Sequence, residues 1–81
     1  MTMKEWIVEV IEAAHRDAVF MGSFEDWNIR ARCWDQKHVY VEAHSDLDPD
    51  SAFQKRIQTT IPEAAAEEIL VLMKIGVVHG S

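Results

Sequence analysis

The longest helical pattern of apolar residues lies at the start of the chain. Side chains recur there at intervals of three or four residues, the spacing of one helix face: Ile7, Ile11, Ala14, Ala18 and Met21. Thr2 and Glu5 have the spacing of a capping box, in which each side chain hydrogen-bonds to the other residue's backbone N–H. Gly22 provides a stop signal. The pattern predicts a first helix over residues 3–21.

From Asp26 the period changes to two residues, which is typical of strands with one buried face. In the first segment the inward positions are Trp27, Ile29, Ala31 and Cys33, and the outward positions are Asn28, Arg30, Arg32 and Trp34. In the second segment Val39, Val41 and Ala43 alternate with His38, Tyr40, Glu42 and His44. A short turn at Asp35-Gln36 would join the two strands as an antiparallel hairpin.

Residues 53–61 fit two structures. Phe53, Ile57 and Ile61 share a face of a helix or of a strand, and Asp48-Pro49 is a suitable helix start. The β-branched residues of Ile57 to Ile61 favour a third strand, although a helix stays open.

A second helix follows, from a capping box of Thr60 and Glu63 with Pro62 in the first turn, and continues to Gly76. Its apolar side chains include Ala64, Ala65, Ile69, Leu72 and Met73. The sequence therefore predicts an α+β fold in the order helix, three-stranded antiparallel sheet, helix. Both helices should cover the sheet face that holds Ile29, Val41 and Ile57.

The 81 residues suffice for a single domain, residues 1–81, with one core. Fourteen acidic and eight basic residues give a net charge of −6, which repels phosphate backbones and makes direct nucleic-acid binding unfavourable. Cys33 has no second cysteine to pair with, which favours a cytoplasmic location. Apolar runs such as Ile69 to Met73 are too short to predict a membrane span.

Two segments rich in acids should meet at one end of the sheet, because antiparallel strands reverse direction at each turn. They contribute Glu25, Asp26, Asp46, Asp48 and Asp50, with Glu67 and Glu68 adding charge at a distance. One interpretation is an acidic rim that docks on a basic partner. The other is a solvated loop whose aspartates only cap turns.

The uncovered sheet face is a second candidate surface. It carries residue types that are enriched in interface hot spots: Arg30, Arg32, Trp34, Tyr40 and Arg56. These side chains could simply stack across strands, bind a partner protein, or stack single-stranded bases. The sequence leaves all three interpretations open.

No motif for catalysis or for a cofactor is complete. Asp46, Asp48 and Asp50 begin like a calcium loop, but Ser51 and Ile57 stand where Gly and Glu are needed. His38 and His44 share a strand face about 20 Å apart, too far for one metal ion. The inward phase of Cys33 predicts a small buried side chain without a catalytic role. We expect no enzyme activity, no cofactor and no metal.

Two families resemble this chain in general character. The order helix, three strands, helix, with Ala64-Ala65-Ala66 in the last helix, resembles the double-stranded RNA-binding domain. That family has lysines at the start of this helix, where Glu63, Glu67 and Glu68 would repel phosphates. In size and acidity, carried by the stretches 46–50 and 63–68, the chain resembles the small phage-encoded anti-CRISPR proteins.

The second resemblance implies a non-enzymatic inhibitor whose carboxylates occupy the basic groove of a nucleic-acid-binding protein or ribonucleoprotein complex. The alternatives are a small RNA- or single-strand-binding module that uses the sheet face, and a homo-oligomer joined through a sheet edge or through Val77-Val78.

Overall fold

Two α-helices lie on one face of an antiparallel sheet in the computed structural model, which describes residues 1–75. The elements are α1 (Met3–Asp17), β1 (Val19–Phe24), β2 (Trp27–Asp35), β3 (His38–Ser45), β4 (Ala52–Gln58) and α2 (Pro62–Ile75). The strands lie in chain order, β1-β2-β3-β4. The α+β class and the helix–sheet–helix order are confirmed, whereas the expectation of three strands is wrong because the sheet has four strands within residues 1–75.

The additional strand, β1, comes from the predicted end of the first helix. Helix α1 stops at Asp17, and Ala18 caps it in the left-handed conformation with a φ of 73°. The chain then turns back along β2, with Val19 opposite Arg32 and Phe24 opposite Trp27. A helix over residues 3–21 is therefore wrong by four residues at its end, since Ala18 to Met21 lie outside α1.

Aromatic contacts explain why β1 is a strand. The Phe20 and Phe24 rings contact Trp6 of α1, at centroid distances of 6.1 and 5.3 Å. Gly22 lies between them, and a Cβ there would come within 2.8 Å of the Phe20 ring. The glycine thus leaves room for the phenylalanine, and burial of these rings outweighs the helical periodicity that continues to Met21.

The first capping box forms as predicted. The Thr2 Oγ1 accepts a hydrogen bond from the Glu5 N–H (3.1 Å), and Glu5 Oε1 accepts one from the Thr2 N–H (2.7 Å). The second box is wrong: α2 begins at Pro62, the Ala65 N–H bonds to the Ile61 carbonyl, and no described hydrogen bond joins Thr60 to Glu63. The expected stop at Gly76 lies outside the described residues.

The core lies between the helices and one sheet face. Of residues 53–61, which fitted either a helix or a strand, the predicted strand is confirmed in β4 (Ala52–Gln58). The strand ends before Thr59. Ile29, Val41 and Ile57 are at most 3% exposed, so the predicted face is indeed covered. The other core side chains are Ile7, Val10, Ile11 and Ala14 of α1, Ala31, Val39, Ala43 and Phe53 of the sheet, and Ala65, Ala66, Ile69 and Met73 of α2.

Candidate functional site

The β1–β2 turn and the β3–β4 loop lie side by side at one end of the sheet. The Asp46 N–H donates a hydrogen bond to the Asp26 carbonyl (2.8 Å), and Asn28 Nδ2 donates one to Asp46 Oδ1 (2.7 Å). This brings together five exposed carboxylates, which we call the acidic rim: Glu25, Asp26, Asp46, Asp48 and Asp50. The predicted meeting of the two segments is therefore present in the structure.

Hydrogen bonds fix the conformation of the β3–β4 loop. Ser45 Oγ accepts bonds from the Leu47 and Asp48 N–H groups (3.1 and 3.4 Å). The Asp48 carboxylate accepts bonds from the Asp50 N–H (3.1 Å) and from Ser51 Oγ (2.8 Å). The Ser45 N–H donates to the Ser51 carbonyl (2.9 Å) and closes the loop. Asp48 thus caps the turn, as the interpretation of a solvated loop predicted. The same hydrogen bonds order the β3–β4 part of the rim.

Leu47 projects from this ordered loop, with 76% of its surface exposed. It is an apolar side chain between Asp46 and Asp48, within a loop whose backbone is held by its own hydrogen bonds. Sequence reasoning missed Leu47. The available signal was a single large apolar residue inside an acidic, polar stretch, where no strand or helix would bury it.

The rim carboxylates form no ion pairs within the described part of the chain. Glu67 and Glu68 lie elsewhere: Glu67 pairs with Lys4 of α1 (2.8 Å) and Glu68 with Lys55 of β4 (2.7 Å). The hydrogen bond from Lys4 lowers the pKa of Glu67. These two glutamates join α2 to its neighbours and are not part of the rim.

The uncovered sheet face carries a cluster of arginine and aromatic side chains on β2, β3 and β4. Tyr40 lies between Arg32 and Arg56 on the neighbouring strands. The Arg32 guanidinium is 5.7 Å from the Tyr40 ring centre, and that of Arg56 is 5.5 Å from the Trp34 ring centre. The two rings are 6.1 Å apart. We call Arg32, Trp34, Tyr40 and Arg56 the cationic patch.

Arg30 lies on the same face but outside this patch. Its guanidinium is 4.0 Å from the Glu42 carboxylate, midway between the patch and the rim. A shallow depression runs from Arg30 past Asn28 and His44 to Asp46, and exposed Met21 lies at its border. Arg30 and this depression therefore connect the cationic patch with Asp46 of the acidic rim.

Cys33 is exposed, which corrects the prediction of a buried side chain. It is in phase with buried Ala31, but it lies level with the end of α1, where its N–H bonds to the Ala18 carbonyl and its thiol lies beside His15. Its Sγ is 3.6 Å from His15 Nδ1, and His15 Nε2 lies 2.6 Å from the hydroxyl of buried Thr59. His15 thus bridges the helix end and the start of the α2 connection.

Metal-binding geometry is not found in the part of the chain that the structure describes. No group of three or more His, Cys, Asp or Glu side chains there could hold an ion.

The Asp35 carboxylate bonds to His38 Nδ1 (2.9 Å) and to the Lys37 N–H (2.7 Å), and these bonds lower the pKa of Asp35. This pair shapes the β2–β3 turn.

Comparison with known proteins gives no relative: no family model, curated protein or solved structure matches the chain. Neither described helix combines the length and the apolar character needed to cross a membrane.

Proposed function

We propose that this chain is a non-enzymatic binding protein whose acidic rim docks on a basic surface of a partner protein. The observation that carries the proposal is the ordered β3–β4 loop, which presents Leu47 among carboxylates that have no ion-pair partner within residues 1–75. An interface loop that is already ordered loses little conformational freedom on binding, so more of its contact energy appears as affinity.

Charge and apolar area would have separate roles in this contact. The five carboxylates attract a basic surface at long range and raise the association rate. Leu47 has most of its side chain exposed, and burying a leucine fully contributes about 1.5–3 kcal/mol. We therefore expect rim charges to affect mainly the association rate and Leu47 to affect mainly the dissociation rate.

We further propose that the partner is a nucleic-acid-binding complex with a basic groove. A basic groove that normally binds a phosphate backbone is complementary to carboxylates spread over two adjacent turns. A chain that occupied such a groove would act as an inhibitor of a nucleic-acid-binding complex, the mechanism that the resemblance to anti-CRISPR proteins implies. Glu25, Asp26 and Asp50 support this form most directly, because no described hydrogen bond involves their carboxylates.

A second candidate function uses the cationic patch to bind single-stranded nucleic acid. The exposed Trp34 ring, 56% accessible and close to Tyr40, favours it, because bases stack on such side chains. The net charge of −6 and the acidic rim at the end of this face act against a long polyanion. Protein binding through the rim is therefore the preferred proposal.

The test is capture of proteins from a cell lysate by the immobilised chain, with and without nuclease, at low and high salt. The informative variant reverses rim charge at the three carboxylates that hold no loop bond: Glu25→Lys, Asp26→Lys and Asp50→Lys. A matched control makes the same change in net charge on exposed helix positions: Glu9→Lys, Glu12→Lys and Glu63→Lys.

We expect the wild type and the helix control to retain a nuclease-resistant protein that is released by high salt, and the rim variant to lose it. Leu47→Ala should weaken the same capture without changing its salt dependence. Capture of nuclease-sensitive material alone, or equal capture by the rim variant, would contradict the proposal.

A further inference from the structure

The cationic patch lies on the uncovered sheet face, and the acidic rim borders the opposite end of that face, where Asp46 bonds to outward-facing Asn28. Along β2, Asn28 lies at the rim end, where it binds Asp46, and Trp34 lies at the patch end. Six residues at about 3.3 Å each place the two ends roughly 20 Å apart. The face therefore carries charges of opposite sign, on a chain whose net charge is −6.

We propose that a second copy of this chain docks on the uncovered sheet face, related to the first by a twofold axis that lies across the strands. Such an axis reverses the strand direction, so the rim of each copy meets the cationic patch of the other. The two contacts are identical by symmetry and both are satisfied in a pair, so the assembly closes as a dimer and does not extend as a filament.

Charge complementarity selects a second copy over a polyanion. A nucleic acid long enough to follow the face would be attracted by Arg32 and Arg56 but repelled by the five carboxylates at the other end. A partner suited to the whole face needs an acidic region opposite the patch and a basic region opposite the rim. Another copy of this chain, turned end to end, presents both at the required separation.

The face also has the area and the apolar side chains for such a contact. The molecule measures 31 × 29 × 19 Å. An ellipse with the two longer extents as its axes covers roughly 700 Å², close to the about 800 Å² that each partner buries in a standard interface. Met21 (71% exposed), Trp34 (56%) and Val19 (44%) lie on this face and would become buried.

This inference rests on the proposed function, since it gives the acidic rim a partner. It adds that self-association and docking on another protein exclude each other, because both cover the same carboxylates. A dimer would therefore keep the rim carboxylates covered until a partner with a more basic surface displaced the patch of the second copy.

The experiment is analytical ultracentrifugation of the purified chain over a concentration series, at low and high salt. Two variants reverse one end each: the patch variant (Arg32→Glu, Arg56→Glu) and the rim variant (Glu25→Lys, Asp26→Lys, Asp50→Lys). The matched control for the patch is Arg16→Glu with Lys74→Glu, which changes the net charge equally on the helices.

We expect the wild type and the control to pass from monomer to dimer with concentration, and each variant to raise the dimer dissociation constant at least tenfold. An equimolar mixture of the two variants should form a heterodimer, because each then presents charges opposite to those of the other. Recovery in the mixture would also show that both variants are folded.

A wild type that stays monomeric at every concentration, variants that dimerise as the wild type does, or a mixture that stays monomeric would overturn the inference. A wild type that binds a labelled 12-nucleotide single strand through Arg32 and Arg56 while monomeric would also overturn it. If the wild type is monomeric but the rim variant alone loses its captured protein, the proposed function stands and only the dimer fails.

Discussion

The Asp48 carboxylate accepts two hydrogen bonds within the loop that presents Leu47. Removing both should lower the free energy of unfolding by about 1.5–3 kcal/mol, the range for hydrogen bonds to charged groups. We expect Asp48→Ala to cause this loss and Asp48→Asn, which keeps one acceptor oxygen, to cause less. Urea unfolding of the two variants measures the difference. Equal stability of Asp48→Ala and the wild type would show that the loop is not ordered by this residue.

Cys33 provides a test of where the helix layer ends. Because its thiol is exposed in the folded state, iodoacetamide should label it in native buffer at a rate within about tenfold of a free thiol. Mass spectrometry after timed quenching measures this rate. Labelling that occurs only in denaturant would mean that the side chain is covered, as the sequence pattern suggested.

Prediction from sequence succeeded for residues whose environment depends on strand phase alone. The alternation along β2 correctly placed Arg30, Arg32 and Trp34 on the outward face. It failed for Cys33, because this inward position lies level with the end of α1, beside His15, and is exposed there. Leu47 was missed since the conformation of its loop depends on hydrogen bonds accepted by the Ser45 hydroxyl and the Asp48 carboxylate, which the sequence does not reveal.

At the scale of elements, the boundary between α1 and β1 is set by Ala18. This residue has a positive φ of 73°, which costs energy for any residue with a Cβ. Ala18→Gly should raise the free energy of unfolding by about 0.5–1 kcal/mol. The control Glu12→Gly, within the helix, should lower it by about 1 kcal/mol. A loss of stability in Ala18→Gly would contradict a helix end at this position.

The same boundary shows why the fourth strand could not be predicted. Ala18 and Met21 continue the apolar spacing of α1, and local propensity does not distinguish a helix from a strand there. What decides is the contact of Phe20 and Phe24 with Trp6, which forms only when the chain turns back. The hairpin of β2 and β3 could be predicted without tertiary contacts, because its alternation of apolar and polar residues is long and unambiguous.

At the scale of the whole molecule, ion pairs join the elements and make stability depend on pH. Hydrogen bonding by the Lys4 ammonium holds the pKa of Glu67 below its ordinary value. A carboxyl whose pKa is lowered by folding stabilises the fold above its unfolded pKa, and that contribution is lost as pH falls through the folded pKa. Glu67→Gln should thus be less stable than the wild type at pH 7, and the difference should shrink as pH falls below the usual glutamate pKa of about 4.3 and vanish below the lowered pKa of the folded state.

Chemical denaturation of both proteins at several pH values measures that difference. Glu12→Gln, on the exposed side of α1 and without an ion pair among the described residues, is the matched control and should show no comparable pH dependence. A difference between Glu67→Gln and the wild type that persists unchanged at low pH would rule out the ion pair with Lys4 as its cause.

The central claim is that the acidic rim is the surface that binds a partner, and carbodiimide labelling of carboxylates tests it directly. Labelling should be compared between the dilute free chain and the complex with its captured protein, residue by residue. We predict that labelling of Glu25, Asp26 and Asp50 falls severalfold in the complex, while that of Glu9 and Glu12 on the opposite layer stays the same. Unchanged labelling of the rim, with protection on the helices instead, would contradict the account.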